Sequence, residues 1–94
     1  MTSVESSPVT ITILIVNYNG VSLLGQCMNA IREHVKIPYE VILVDNASCD
    51  ESLYFVKSNY PDVRIVNNKI NLGFAGGNNA GATIANGSLL LLLN

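Results

Sequence analysis

Three short polar clusters hold the residues best suited to chemistry, and each follows an apolar run. They are Asn17-Tyr18-Asn19, Asp45-Asn46, and the glycine- and asparagine-rich stretch NLGFAGGNNAG at residues 71–81. Glycines let backbone approach a ligand closely, and the free N–H groups of a helix start favour anions. The third cluster runs into an alanine-rich helical segment, so its Asn71, Gly73, Gly76, Gly77 and Asn78 suit a phosphate-bearing ligand. Asp45 can accept hydrogen bonds from a base N–H or a ribose hydroxyl, or it can cap its own turn. Tyr18 can stack on a flat ring or fill its loop. Asn17 and Asn19 can bind a ligand or tie the turn. Phe74 reads as a hydrophobic plug for the glycine-rich loop, and His34 as a surface residue matched to a helix end.

Other chemistries find little support. The chain has one histidine, and its two cysteines, Cys27 and Cys49, form no CxxC, which argues against zinc and against a Ser-His-Asp or Cys-His arrangement. Cys27 is expected on a buried helix face and Cys49 near a helix start, both as reduced thiols. The first strand-to-helix turn lacks GxGxxG, and the glycine-rich turn comes after the third strand, which argues against a dinucleotide fold. The net charge is −2 with no Lys/Arg cluster, so no nucleic-acid partner is expected.

The elements that must position these clusters alternate in type. Residues 9–16 (VTITILIV) read as a central strand buried on both faces. From Ser22 to about Val35, Leu23, Leu24, Cys27, Met28, Ile31 and Val35 recur at helical spacing, and Pro38 closes that region. Residues 40–44 (EVILV) are the second strand. Ser48 and Glu51 have the form of a capping box for a second helix that turns Leu53, Val56 and Tyr60 inward and stops at Pro61. A short third strand spans residues 63–66, and a helix from about Gly76 to Ala85 has Gly87 as its expected C′ residue. Residues 88–93 form a fourth strand.

This alternation predicts a parallel sheet with right-handed crossovers and all three polar clusters along one edge. A strand of five leucines needs cover on both faces, so residues 9–94 are expected to be the front part of a larger domain. Residues 1–8 read as a flexible tail without the features of a signal peptide. The apolar run 89–93 is too short to span a bilayer.

Three blocks together, ILIVNYNG (13–20), EVILVDNASCDES (40–52) and NKINLGFAGGNNAGATIANGSLLLLLN (68–94), resemble the N-terminal half of a family 2 glycosyltransferase, with the rhamnosyltransferase-like branch nearest. The resemblance implies an α/β, Rossmann-like GT-A half-domain with a mostly parallel four-stranded sheet. It implies that Val16, Asn17, Tyr18 and Asn19, with Asp45 facing the base and Asn46 beside it, hold the nucleotide of a dTDP-, UDP- or GDP-linked sugar. The glycine-rich turn would lie along that donor. A divalent cation, Mn or Mg, is implied for the full-length enzyme, on a motif with Asn94 as its expected first residue. No catalytic residue and no bound cation are expected within these 94 residues. Many family members carry an Arg where Gly77-Asn78 stand, so phosphate charge would be met by metal and N–H groups. The implied acceptor is a saccharide or a lipid-linked saccharide in bacterial surface-polysaccharide synthesis. The implied location is the cytoplasm, at the inner membrane face, with peripheral membrane association. Apart from the resemblance, the exposed leucine strand at the sheet edge is expected to allow self-association. The competing expectations are a non-catalytic nucleotide-binding or interaction module, and a flavodoxin-like switch domain.

Overall fold

The computed structural model describes residues 9–93. Residues 1–8 and Asn94, and with them the expected tail and the expected start of a metal motif, lie outside the described residues. Seven elements alternate as β1 (Ile11–Asn17), α1 (Val21–His34), β2 (Tyr39–Asn46), α2 (Ser52–Asn59), β3 (Arg64–Asn68), α3 (Gly73–Ala82) and β4 (Leu89–Leu93). The strands form one sheet in the order β3-β2-β1-β4, and every pair is parallel.

The apolar runs in β1 and β2 explain their central places, because side chains alternate between two covered faces. Ile13, Ile15, Val41 and Leu43 pack on one face against Leu24, Met28 and Ile31 of α1, and against Val56 and Tyr60 from α2 and its end. Leu14, Ile42 and Val44 pack on the other face against Ala80, Ala82, Ile84 and Ala85. The α3 helix lies very close to the sheet. A Cβ on Gly81 would stand 2.8 Å from Val44 Cγ2 and 3.0 Å from Leu14 Cδ2, so only glycine allows this approach.

Several expected details shift. Leu23 is exposed, because the inward stripe of α1 runs through Leu24, Met28 and Ile31 at i, i+4 and i+7. Helix α3 begins at Gly73, whose φ of 75° suits glycine, and ends at Ala82 rather than Ala85. Gly87 does not cap it. Gly87 sits where the chain passes β1, donating its N–H to Thr12 Oγ1 at 2.8 Å, and a Cβ there would lie 2.6 Å from the Thr12 nitrogen. The capping box does not form either. Glu51 is the N-cap of α2 and makes no side-chain cap bond, while the Asp50 carboxylate accepts from the Ser52 N–H and hydroxyl.

A polar staple fixes the end of the sheet where the strands begin. Glu40 accepts from the Thr12 hydroxyl at 2.7 Å, the Asn86 N–H at 2.6 Å and Arg64 Nη1 at 2.8 Å. Arg64 Nη1 also donates to the Ile84 carbonyl just past α3. Burial alone would raise the Glu40 pKa, but the bonds from Asn86, Thr12 and Arg64 and the Arg64 charge outweigh it and hold the carboxyl below its ordinary range. Strand β4 pairs with β1, yet Leu89, Leu90, Leu91 and Leu92 remain exposed. No helix among the described residues is long and apolar enough to cross a membrane.

Candidate functional site

The strand order sets the place of the site. From β1 the chain steps outward to β2 and β3, then returns through α3 on the opposite face to put β4 beside β1. Open α/β sheets bind ligands outside the carboxyl ends of their strands, where such a reversal opens a crevice. Register puts those ends level: Asn17 pairs with Asp45, Asp45 with Asn67, and Asn46 with Asn68.

Hydrogen bonds join the first two clusters. Asn17 Nδ2 donates to Asp45 Oδ1 at 2.9 Å and to Ser48 Oγ at 3.2 Å. The Ser48 hydroxyl donates to Asp45 Oδ1 at 2.8 Å, and the Ser48 N–H to Asp45 Oδ2 at 3.0 Å. Asn19, at a left-handed φ of 53°, donates its N–H to Ser48 Oγ at 2.9 Å. Its Oδ1 accepts from the N–H groups of Cys49 and Asp50 at 2.7 and 3.3 Å. Asp50 Oδ2 in turn accepts the Val21 N–H at the start of α1, at 3.1 Å. The Ser52 hydroxyl is the largest influence holding the Asp50 carboxyl below its ordinary value, with desolvation opposing and the Val21 and Ser52 N–H groups assisting.

The third cluster meets this edge through Asn46 and through missing side chains. Asn46 Nδ2 donates to the Gly73 carbonyl at 3.0 Å, and Asn68 Nδ2 to Asn46 Oδ1 at 2.9 Å. A Cβ on Gly77 would stand 2.8 Å from Val16 Cγ1 and 3.1 Å from Asn46 Nδ2. Asn71 Oδ1 accepts the Gly73 N–H at 2.8 Å. Helix α3 has no side-chain N-cap bond, so the N–H groups of Phe74 and Ala75 in its first turn are left for another acceptor. Both amide atoms of Asn78 are buried without a partner among the described residues.

The residues singled out in the sequence thus lie along one edge but divide by exposure. Tyr18, Asn19, Asn71 and Gly73 are exposed, Val16 and Gly76 half-buried, and Asn17, Asp45, Asn46, Gly77 and Asn78 buried. Tyr18 borders a hollow of about 200 Å³ shared with Ile15, Leu23 and Cys27. A second hollow, of about 240 Å³, opens at the opposite end of the sheet beside Arg32, Tyr60 and Asp62, away from every cluster described above. Phe74 does not plug its loop. It is 48 % exposed, since Gly77 already lies level with Val16 at the strand end and Phe74 projects one turn beyond.

His34 is an exposed partner of Glu33 at 3.7 Å. Cys27 is half-buried, with its thiol pKa pushed up by burial, and Cys49 is exposed; neither forms a disulfide. Ser48 and Asp50 are the residues the sequence reading missed as organisers of this edge. Their signal was a Ser-x-Asp directly after the second strand, which resembles a helix cap.

Residues 12–94 match the family described as glycosyl transferase family 2. The chain belongs to glycosyl transferase family 2. An uncharacterized glycosyltransferase, YwdF of Bacillus subtilis (strain 168), is 34 % identical over 84 residues, covering 87 % of this chain and 31 % of that protein. Among solved structures, the mannosyltransferase PcManGT from Pyrobaculum calidifontis, determined with GDP-Man and Mn2+, superposes with a TM-score of 0.73 at 24 % identity. That match covers 89 % of this chain and 28 % of the mannosyltransferase, and it shows that the two share the GT-A fold. The family 2 chain described here thus spans about a third of the length of either relative. Among its described residues no group of three or more His, Cys, Asp or Glu comes together that could hold a metal ion.

Proposed function

We propose that this edge is the nucleotide-facing wall of a glycosyltransferase that moves a sugar from a nucleotide diphosphate donor to an acceptor hydroxyl. The observation that carries the reading is the seating of α3 on the strand ends. Gly77 lies against Val16 and Asn46, which brings an uncapped helix start beside the β1 and β2 turns. Such a start suits the charge that grows on a departing diphosphate. In the transfer, the acceptor oxygen bonds to the anomeric carbon, the carbon–phosphate oxygen bond breaks, and the diphosphate leaves with the electron pair. The hydroxyl proton passes to a base that the described residues do not supply.

In this reading Tyr18, Asn19, Asn71 and Gly73 face the donor, with Val16 and Gly76 at the margin. Asn17, Asp45, Asn46, Gly77 and Asn78 support them from beneath. A divalent cation would neutralise diphosphate charge, and the Mn2+ in PcManGT supports such a group in a relative. The described residues do not fit it, so its ligands are assigned to a motif starting at Asn94. The chain by itself is expected to bind nucleotide without turnover.

The finer expectations extend the same proposal. The donor is dTDP-, UDP- or GDP-linked, and the GDP-Man in PcManGT supports the last of these. The acceptor is a saccharide or lipid-linked saccharide, and the branch is rhamnosyltransferase-like, acting in surface-polysaccharide synthesis at the cytoplasmic membrane face. Residues 9–94 are assigned to the front of a larger GT-A domain whose further chain covers β4; otherwise the leucine edge pairs with a second copy.

Calorimetric titration with UDP, dTDP and GDP, with and without Mn2+, tests the reading. Saturable binding of at least one nucleotide supports it. Absence of binding by the folded protein, alone and within a longer chain, rejects it in favour of an interaction module.

A further inference from the structure

The acidic residue after the second strand is implied, by family resemblance, to face the base. Its surroundings in this chain point elsewhere. Asp45 has 0 % exposure, and adding chain or ligand to a protein can only cover surface further. Both carboxylate oxygens are engaged: Oδ1 accepts from Asn17 Nδ2 and the Ser48 hydroxyl, and Oδ2 from the Ser48 N–H. A base N–H could reach this carboxylate only by displacing a group that covers it, and the groups bonded to it are Asn17, by one bond, and Ser48, by two.

Ser48 in turn cannot leave without loosening the neighbouring turn. Its oxygen also accepts from Asn17 Nδ2 and from the Asn19 N–H. Asn19, held in its left-handed conformation, carries the N–H groups of Cys49 and Asp50, and Asp50 carries that of Val21. The bonds therefore run from the end of β2 through the β1 turn to the start of α1, with Asp45 at their buried origin.

We propose that Asp45 is a positioning residue, which with Ser48 locks the β1 and β2 turns into one preformed wall, and that it does not read the nucleotide base. This rests on the nucleotide-binding reading above. Contact with the base then falls to the exposed Tyr18 ring and to Asn19. Stacking on an aromatic ring tolerates different bases, because each offers a flat face.

The test uses UDP and CDP, whose pyrimidine rings differ at N3, where uracil presents an N–H and cytosine an acceptor. Affinities for both are measured with the whole chain as wild type, Asp45→Asn and Ser48→Ala, alongside backbone amide exchange. We expect each variant to bind both nucleotides about tenfold more weakly. We expect the UDP/CDP ratio to stay within about twofold, because a common wall has been loosened. The Asn19 amide should exchange faster in both variants, and the residue 48 amide faster in Asp45→Asn alone.

A UDP/CDP ratio that changes tenfold or more in Asp45→Asn, with Ser48→Ala binding like wild type, overturns the proposal. Wild-type exchange at the Asn19 amide in both variants overturns it as well. If the wild-type chain binds neither UDP nor CDP, the exchange data alone decide the role of Asp45, and the function reading is decided separately by the titrations with dTDP and GDP. Should Asp45→Asn not fold, Ser48→Ala alone decides, since it leaves the carboxylate intact.

Discussion

The two sides of the proposed wall are built by opposite means. The β1 and β2 turns are held by added groups, namely the carboxylates of Asp45 and Asp50, the Ser48 hydroxyl and the amides of Asn17 and Asn19. The glycine-rich turn is held mainly by omitted groups, because Gly77 and Gly81 let α3 rest on Val16, Val44 and Leu14. Directional hydrogen bonds fix a loop in one shape and weaken gradually as partners are removed. Close approach depends on volume, and a single extra carbon disturbs it in a well-packed interior. The first side should therefore respond to chemistry, and the second to size.

The sharpest way to break this contrast is Gly81→Val. Its branches would overlap Val44 and Leu14, and the expected loss is about 3 kcal/mol, seen as an earlier denaturant midpoint. A loss below ~1 kcal/mol would mean that α3 can lift from the sheet. Ser48→Ala comes next, at about 1–2 kcal/mol, because Asn17, Asn19 and Asp45 each lose a partner.

Acid should act on the hydrogen-bonded carboxylates before it reaches the glycine contacts. The folded pKa values of Asp50 and Glu40 are both depressed. Their contributions are thus complete above the ordinary carboxylate range of about 4 and are lost as pH falls through the lower folded values. Melting temperatures should be flat from about pH 5 to 7 and fall below about pH 4, less steeply in an Asp50→Asn, Glu40→Gln double variant. An unchanged slope in that variant would assign the acid sensitivity to other groups.

The smallest effect sharpens the size argument. At Gly25 in α1 an added Cβ meets only the end of the half-buried Phe55 ring, at 3.2 Å. Gly25→Ala should be neutral or stabilising by up to about 1 kcal/mol, through helix propensity, opposite in sign to Gly81→Val. Thermal melting of the two variants side by side checks this.

How far the sequence disclosed these features follows the same division. The alternation of apolar runs with helical stripes gave the element order, because burial on two sheet faces leaves a strong periodic signal. The strand-end clusters were legible because polar residues interrupt such runs abruptly. Leu23 and Phe74 misled, since an apolar residue beside a stripe, or one turn past the sheet, looks like its buried neighbours. Ser48 misled for a different reason. A helix cap and a bond to a turn 29 residues away use the same hydroxyl, and only tertiary contact chooses between them. Gly87 resembles a helix stop, because nothing in the sequence signals that the Thr12 nitrogen lies 2.6 Å from its Cβ position.

In the proposed function the carboxyl ends of the strands receive a nucleotide diphosphate. Backbone amide spectra recorded while UDP, dTDP or GDP is added to the ¹⁵N-labelled chain test it directly. Saturable shifts are expected at Tyr18, Asn19, Gly73, Phe74, Ala75 and Gly77, with Thr12, Glu40 and Arg64 at the far end of the sheet unmoved. Saturable shifts centred instead on Arg32, Tyr60 and Asp62, or none at the strand ends with any of the three nucleotides, would contradict it.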